Sequence, residues 1–448
     1  MTVSVIIPTV LRSPTVTRCV RAAADSAARF HPDAEVLLVV NGPAAAAPLP
    51  PVDPRVRVVR SAAACVSAAR NEGVRLARHD AVLFTDDDLV VPPRWCAEMA
   101  RPLLGGGHAV AAPVRTVVTG PVTAFLHHER VFDAAPLTAD TAHALVTANA
   151  GYRRDLIAGE PFDVARYPHF AEDTDLGLRI RQAGGVIHWL GAAPAPLHEV
   201  DEEPASLVRR ALRQGIGTAQ VFLQRRDLQY YYPSPVAAYR RCVDTSAPIA
   251  RRYLEVDDPG ARTVFAALGM IRRAVLLAGY LSGIGAAHDV ALVQLDEDAL
   301  TAGITTVFEE LLAIVPAVRW DAVPVRFRPA PADAAPVDPA LAATAAGLAK
   351  VLSRAAPPVP TAAAPPAASQ DDLTWLARDA VVRDRVSRAG TSGTEPDERE
   401  VERAARAGGV AFGRACEIRE THRAHATRRW PGAGVPMARA AGPARGVA

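Results

Sequence analysis

The stretch from Ala81 to Pro93 constrains this chain more than any other. Ala81-Val82-Leu83-Phe84-Thr85 is an apolar run of buried-strand length. It ends in Asp86-Asp87-Asp88, and Pro92-Pro93 then close the segment against further sheet pairing. Three like charges side by side repel one another, so the cluster needs something to offset that repulsion. A bound divalent cation does so. The competing structural reading is a solvated turn or a helix N-terminus, where capping and the helix dipole favour Asp.

The sequence around this strand alternates in period. Ser4 to Thr9 reads as a first strand, Thr15 to Arg29 as a helix, and Ala34 to Val40 as a second strand closed by Asn41-Gly42-Pro43. Arg55 to Val59 is a third strand and Ser67 to Arg78 a helix leading into Ala81. Strand–helix–strand order predicts a parallel α/β unit with the three carboxylates at a strand's C-terminal edge, where open α/β sheets bind ligands. Further on, the pattern predicts a helix over Arg94 to Leu103 stopped by Gly105-Gly106-Gly107, a strand over Ala109 to Val118, and a strand and turn over Thr147 to Arg154. Glu172-Asp173-Thr174-Asp175 opens an amphipathic helix ended by Gly184, and the acids there complement the helix dipole whatever else they do. Val186 to Leu190 is a strand, and His198 falls in a proline-punctuated loop.

From Pro204 the periodicity becomes helical, over Pro204 to Asp227, Val236 to Leu254, Ala261 to Ala287 and Asp298 to Ile314. After Arg328, alternating proline and alanine read as a linker with little to bury. The remainder, apart from a short helical pattern at Asp371 to Val386, has the composition of a disordered tail. The expected organisation is therefore an α/β domain over 1–203, a helical region over 204–328, a linker over 329–370 and a tail over 371–448.

With 448 residues the chain exceeds one ordinary domain, and a net charge of +2 argues against a nucleic-acid binder. Lys350 is the sole lysine, so arginine carries almost all the positive charge and a single Arg says little about anion binding. Cys19, Cys65, Cys96, Cys242 and Cys416 are scattered, without zinc-ligand spacing or a dense disulfide framework. No secretion signal is visible at the N-terminus, and the apolar stretch from Val264 to Ile284 is interrupted by Arg272 and Arg273. The expected location is cytoplasmic, with peripheral contact at the inner membrane face as an option.

In order, then, the chain presents a strand ending in Pro8-Thr9, a second ending at Asn41, a helix carrying Arg70-Asn71, a strand ending in Asp86-x-Asp88, an Asn149-x-x-x-Arg153-Arg154 segment, a helix opening with Glu172-Asp173, and His198. This series resembles family 2 of the glycosyltransferases, in particular the non-processive bacterial type, over about Val3 to Glu199. The resemblance implies the GT-A fold, a Rossmann-like, mostly parallel central sheet flanked by helices, and an inverting transfer from a nucleoside diphosphate sugar. It also implies a divalent cation, manganese or magnesium, held by Asp86 and Asp88 with His198 as a further metal or diphosphate contact. Asp173 falls where the family has its general base, and Glu172 and Asp175 flank it as accessory groups. Thr9, Asn41, Arg70, Asn71, Asp86 and Asp87 fall at nucleotide-sugar contacts. Many members carry Asp where this chain has Asn41, so UDP, GDP and dTDP all stay open.

The implied acceptor is a glycan, a glycolipid or a small natural product. The Gln-x-x-Arg-Trp signature of processive members is absent, which favours single additions. Arg209, Arg210, Arg213, Arg225 and Arg226 on the long helix after Pro204 suit an anionic acceptor, a membrane surface or a plain solvated face. Tyr230-Tyr231-Tyr232 suits stacking on a sugar ring or packing where the two regions join. Two other readings compete. A sugar-nucleotide pyrophosphorylase expects a glycine-rich basic loop after the first strand, which Leu11-Arg12-Ser13-Pro14 does not supply. A non-catalytic binding or scaffold relative has no need of intact Asp86, Asp88, Asp173 and His198.

Overall fold

The computed structural model describes residues 2–359 apart from 47, 50–51, 63–64, 157–160, 168–169, 201, 226–229, 231, 233–234, 245–255, 288–290 and 324–338. The tail over 371–448, and the part of the linker beyond 359, lie outside the described residues.

The α/β region runs β1 (Val3–Thr9), α1 (Val16–Phe30), β2 (Glu35–Asn41), β3 (Val56–Ser61), α2 (Val66–Leu76), β4 (Ala81–Thr85), β5 (Leu89–Val90), α3 (Trp95–Leu104), β6 (Ala109–Ala111), β7 (Arg115–Thr116), α4 (Pro121–Glu129), β8 (Asn149–Arg153), α5 (Glu172–Gln182), β9 (Ile187–Trp189) and β10 (Leu197–His198). Seven strands form one sheet in the order β3-β2-β1-β4-β8-β6-β9. All its pairings are parallel except those of β8, which runs antiparallel to both β4 and β6. β1, β2 and β4 are buried along their whole length, which is why they read as unbroken apolar runs rather than alternating ones. Val3, Val5 and Ile7 of β1 pack with α1 and α3 on one face of the sheet. Ile6 points to the other face, into a core shared with Ala69 and Val74 of α2 and Leu176 and Ile180 of α5.

The single strand expected over Ala109 to Val118 is two. Pro113 separates β6, in the large sheet, from β7, which joins a three-stranded sheet of order β5-β10-β7. Proline has no N–H to continue the ladder, so the chain leaves one sheet and enters the next at that point. His198, expected in a loop, sits instead on β10, opposite Leu89 of β5.

The helical region runs α6 (Pro204–Arg225), α7 (Pro235–Asp244), α8 (Pro259–Ala287), α9 (Glu297–Ile314) and α10 (Pro339–Ala355). α6 and α8 lie backbone to backbone. A Cβ on Gly215 would run into the Leu276 carbonyl, and one on Gly279 into that of Leu212, so both positions require glycine. By length and composition α8 could cross a membrane, but 83% of its apolar window is buried within the protein, as the core helix of this bundle. α4 carries Phe125 into the same core, 6.0 Å ring to ring from Phe265 of α8, and so fastens the bundle to the α/β domain.

α10 corrects the linker reading over 339–355. Leu341, Ala345, Leu348 and Leu352 recur at helical spacing and are buried in the bundle core. The alanines that make the segment look structureless are strong helix formers, and four apolar positions on one face suffice to dock it.

Candidate active site

The ends of β1, β2 and β4 converge at one edge of the sheet and carry Thr9, Asn41 and, just past Thr85, the acidic triplet. The three carboxylates point to three different partners, which answers the problem of their mutual repulsion. Asp87 accepts a hydrogen bond from the Thr9 hydroxyl, whose oxygen also accepts from the Leu11 N–H at 2.9 Å. Burial, with Asp86 and Asp88 alongside, pushes the Asp87 carboxyl up to about 6. Asp86 takes Arg70 Nη2 at 3.1 Å. Arg70 comes from the buried side of α2 and gives its other terminal nitrogen to Glu172 of α5, so one guanidinium ties the two acidic segments together. Burial raises Asp86 above the usual carboxylate range, and Arg70 opposes that shift.

Asp88 is held from the small sheet. Pairing of β5 with β10 sets His198 against Leu89, the Glu199 N–H reaches the Asp88 carbonyl at 3.0 Å, and His198 Nε2 lies 3.1 Å from Asp88 Oδ2. The Phe132 ring stands edge-on to the imidazole, 4.3 Å between centroids. Asp88 Oδ1 and His198 Nδ1 are buried without a hydrogen-bond partner among the described residues. An orphaned carboxylate oxygen beside an imidazole fits a cation ligand pair. Asp86 is drawn to Arg70 instead, and no group of three His, Cys, Asp or Glu side chains among the described residues is arranged to hold a metal ion.

Asp173 reaches the same edge through β8. Because β8 is antiparallel to β4, its first residue, Asn149, lies opposite Thr85, so the chain just before it passes the acidic cluster. Thr147 there donates its N–H (2.9 Å) and its hydroxyl (3.2 Å) to Asp173 Oδ2. Ala171 holds a left-handed conformation (φ 71°) immediately before α5. That conformation is unfavourable for a residue with a Cβ and is a feature of constrained sites. Glu172, next to Asp173, is buried, and burial together with the Asp173 charge pushes its carboxyl up to about 7 against the pull of Arg70.

A cavity of about 500 Å³ opens on this arrangement, lined by Arg70, Asp86, Asp88, Glu172, Asp173 and His198. Thr9, Asn41 and Asp87 belong to the same sheet edge but do not line it. Two expected site residues point elsewhere. Asn71 is buried and clamps the Phe162 main chain, donating Nδ2–H to its carbonyl at 2.8 Å and accepting its N–H at 3.0 Å. Asp175 is fully buried between Arg179 (2.9 Å) and Arg225 (2.6 Å), joining α5 to α6. Both are explained as architecture.

Residues 4–159 match the family described as glycosyl transferase family 2. They form a family 2 glycosyltransferase domain. No curated protein matches the chain. Among solved structures, a mycobacterial protein is similar at 20% identity, over 50% of this chain and 74% of that one, with a TM-score of 0.35. S. aureus TarS 1-349 in complex with UDP is similar at 13% identity, over 64% of this chain and 92% of that one, with a TM-score of 0.35. Glucosyl-3-phosphoglycerate synthase from Mycobacterium tuberculosis, in complex with Mn2+, UDP and phosphoglyceric acid, is similar at 18% identity, over 50% of this chain and 78% of that one, with a TM-score of 0.33.

The enzyme's cavity also draws on side chains that the sequence pattern does not single out. Thr147 is the principal one, since nothing local marks a threonine two residues before a strand as the partner of an acid 26 positions on. Phe132 is another. Arg210, one of five arginines on or beside α6, is distinguished only in three dimensions, where its guanidinium lies over the Phe132 ring at 4.7 Å and pairs with Glu202.

Proposed function

We propose that this glycosyltransferase moves a sugar from a nucleoside diphosphate donor to an acceptor hydroxyl in one displacement, with inversion at the anomeric carbon. The observation that carries the reading is that Asp173, from the first turn of α5, and the Asp88–His198 pair, held by the small sheet, line one cavity. Asp88 and His198 would hold a divalent cation, with Asp86 joining them if Arg70 releases it. The cation supplies charge neutralisation for the departing nucleoside diphosphate. Thr9, Asn41 and Asp87, at the strand ends beside the cavity, bind the nucleoside.

Asp173 acts as the general base that takes the acceptor proton. Thr147 fixes its orientation through Oδ2. A second reading makes Glu172 the base, since a carboxyl at about 7 is well matched to proton transfer near neutral pH. Its pairing with Arg70 favours a charge-balancing role instead. The four described cysteines are free thiols, which supports a reducing, cytoplasmic setting for the reaction.

The test is Asp173→Asn assayed beside Glu172→Gln. Loss of turnover by about a thousandfold in Asp173→Asn, with donor binding retained, is the expected result. Turnover unchanged in Asp173→Asn but abolished in Glu172→Gln would transfer the role to Glu172. Calorimetry of UDP binding with and without manganese, on the wild type and on Asp88→Ala, checks the cation site separately. Manganese-independent binding would remove it from the mechanism.

A further inference from the structure

The cavity has a second wall, built from α6, the tyrosine segment after it and α8, with Gln214, Thr218, Tyr230, Tyr232 and Leu276 facing the catalytic carboxylates. None of these five side chains is ionised at neutral pH. Gln214 is fixed through its Oε1, which accepts from Arg272 at 2.9 Å and leaves the amide NH2 as the donor it presents. Thr218 donates its hydroxyl hydrogen to the Gln214 carbonyl at 2.7 Å, so its oxygen remains an acceptor toward the cavity. Tyr232 stands edge-on to Tyr280 at 5.0 Å, and Tyr230 lies 5.8 Å from the His143 ring. Aromatic faces between neutral donors and acceptors make a surface for a polyhydroxylated ring.

The charges of the lining point the same way. Five carboxylates line the cavity against two arginines. Both arginines are already engaged, Arg70 by Asp86 and Glu172, and Arg210 by Glu202. A divalent cation at Asp88 and His198 would be taken up by the donor diphosphate. A second anion entering the cavity would then meet an excess of negative charge and no uncommitted cation among the described lining residues, in a partly enclosed space where that repulsion is poorly screened. The arginine-rich character of α6 is therefore misleading about what the cavity accepts.

We propose that the acceptor of this transferase is a neutral sugar or polyol, seated against Tyr230, Tyr232, Gln214 and Thr218, and that the cavity discriminates against phosphorylated and carboxylated acceptors. This inference rests on the transferase reading above. The experiment is calorimetry on the full chain, first with UDP and Mn2+ and then, once saturated with both, with the methyl glycosides of glucose and mannose and with the 6-phosphates of the same sugars. A neutral glycoside should bind at least about tenfold more tightly than its phosphorylated counterpart. Tyr230→Ala should weaken the neutral ligand by about tenfold. Gln214→Arg, which sets an additional cation in the wall, should narrow or reverse the preference, and it keeps the proposal testable if the tyrosine variant fails to fold. Equal or tighter binding of the sugar phosphates by the wild type, or no binding of any of these sugars to the UDP-saturated protein, would overturn the acceptor assignment. Where UDP does not bind, GDP and dTDP take its place in the first titration, and failure of all three to bind would overturn the transferase reading and the acceptor assignment with it.

Discussion

The two halves of the molecule build their shares of one cavity by different means. In the α/β domain, reactive groups are placed by strand register. Asp86 to Asp88 lie where β4 ends, Thr147, just before β8, comes to the same edge because that strand runs antiparallel to β4, and His198 meets Asp88 because β10 pairs with β5. Each of these acids is engaged by a cation, a hydroxyl or an imidazole. In the helical region, the wall is placed by close packing of apolar helices around Gly215 and Gly279, and the side chains it presents are neutral apart from Arg210, which Glu202 already pairs. Register fixes chemistry to within a hydrogen bond, whereas helix packing fixes the shape of a space. The first half is suited to carrying out the transfer and the second to choosing what receives the sugar.

The sharpest way to break that division is Gly279→Val. A branched side chain at the α6–α8 contact would have to force two backbones apart, and destabilisation of about 3 kcal/mol or more is expected. If the halves are as separable as their construction implies, thermal unfolding should show the helical region melting first, and UDP binding by the α/β domain should survive at temperatures where acceptor turnover is lost. A single transition that takes both activities together would show that α4 and the Asp175–Arg225 bridge couple the halves into one unit.

The next effect belongs to the α/β domain alone and depends on pH. Glu172 is raised from an ordinary 4.5 to about 7, and Asp87 from 3.8 to about 6. Both therefore hold protons in the folded state that they release in the unfolded state. Between about pH 4 and pH 7 the native protein binds more protons than the unfolded one, and stability falls as pH rises across that window. For Glu172 the loss is bounded by about 3 kcal/mol. Urea midpoints measured between pH 4.5 and 7.5 should decline in the wild type, and Glu172→Gln should flatten the decline. A wild-type midpoint that rises through this range would mean that Arg70 outweighs burial at Glu172.

How far the sequence reveals this arrangement differs between the halves for physical reasons. The parallel strands are legible because strands buried on both faces are continuously apolar, and the site at their ends is legible because charges there contradict the run before them. Asp173 and Glu172 are legible as a helix start, though only the fold separates a dipole-complementing acid from one facing a cavity. Asn71 and Asp175 have the same residue types as functional neighbours, and only their partners, the Phe162 main chain and two arginines, assign them to the scaffold. His198 escapes detection as a strand residue because β10 has two residues, too few for any periodicity. α10 is hidden by composition, since proline and alanine at its borders mask four apolar positions at helical spacing.

Thr147 is the least legible member of the site, and it carries the smallest and most discriminating of the expected effects. Its main-chain N–H and its hydroxyl both reach Asp173 Oδ2, so Thr147→Val removes one of two hydrogen bonds at nearly constant volume. The remaining N–H keeps Asp173 near its place, and a loss of about 1 kcal/mol is expected. If Asp173 is the base, that loss falls on the transition state, and kcat should drop about fivefold while KM for the donor stays unchanged. If Asp173 only complements the helix dipole, the same 1 kcal/mol or so should appear in the unfolding free energy with kcat intact. Measuring kcat, KM and the urea midpoint on one preparation separates the two, because a hydrogen bond that serves only the fold has no reason to favour the transition state over the bound ground state.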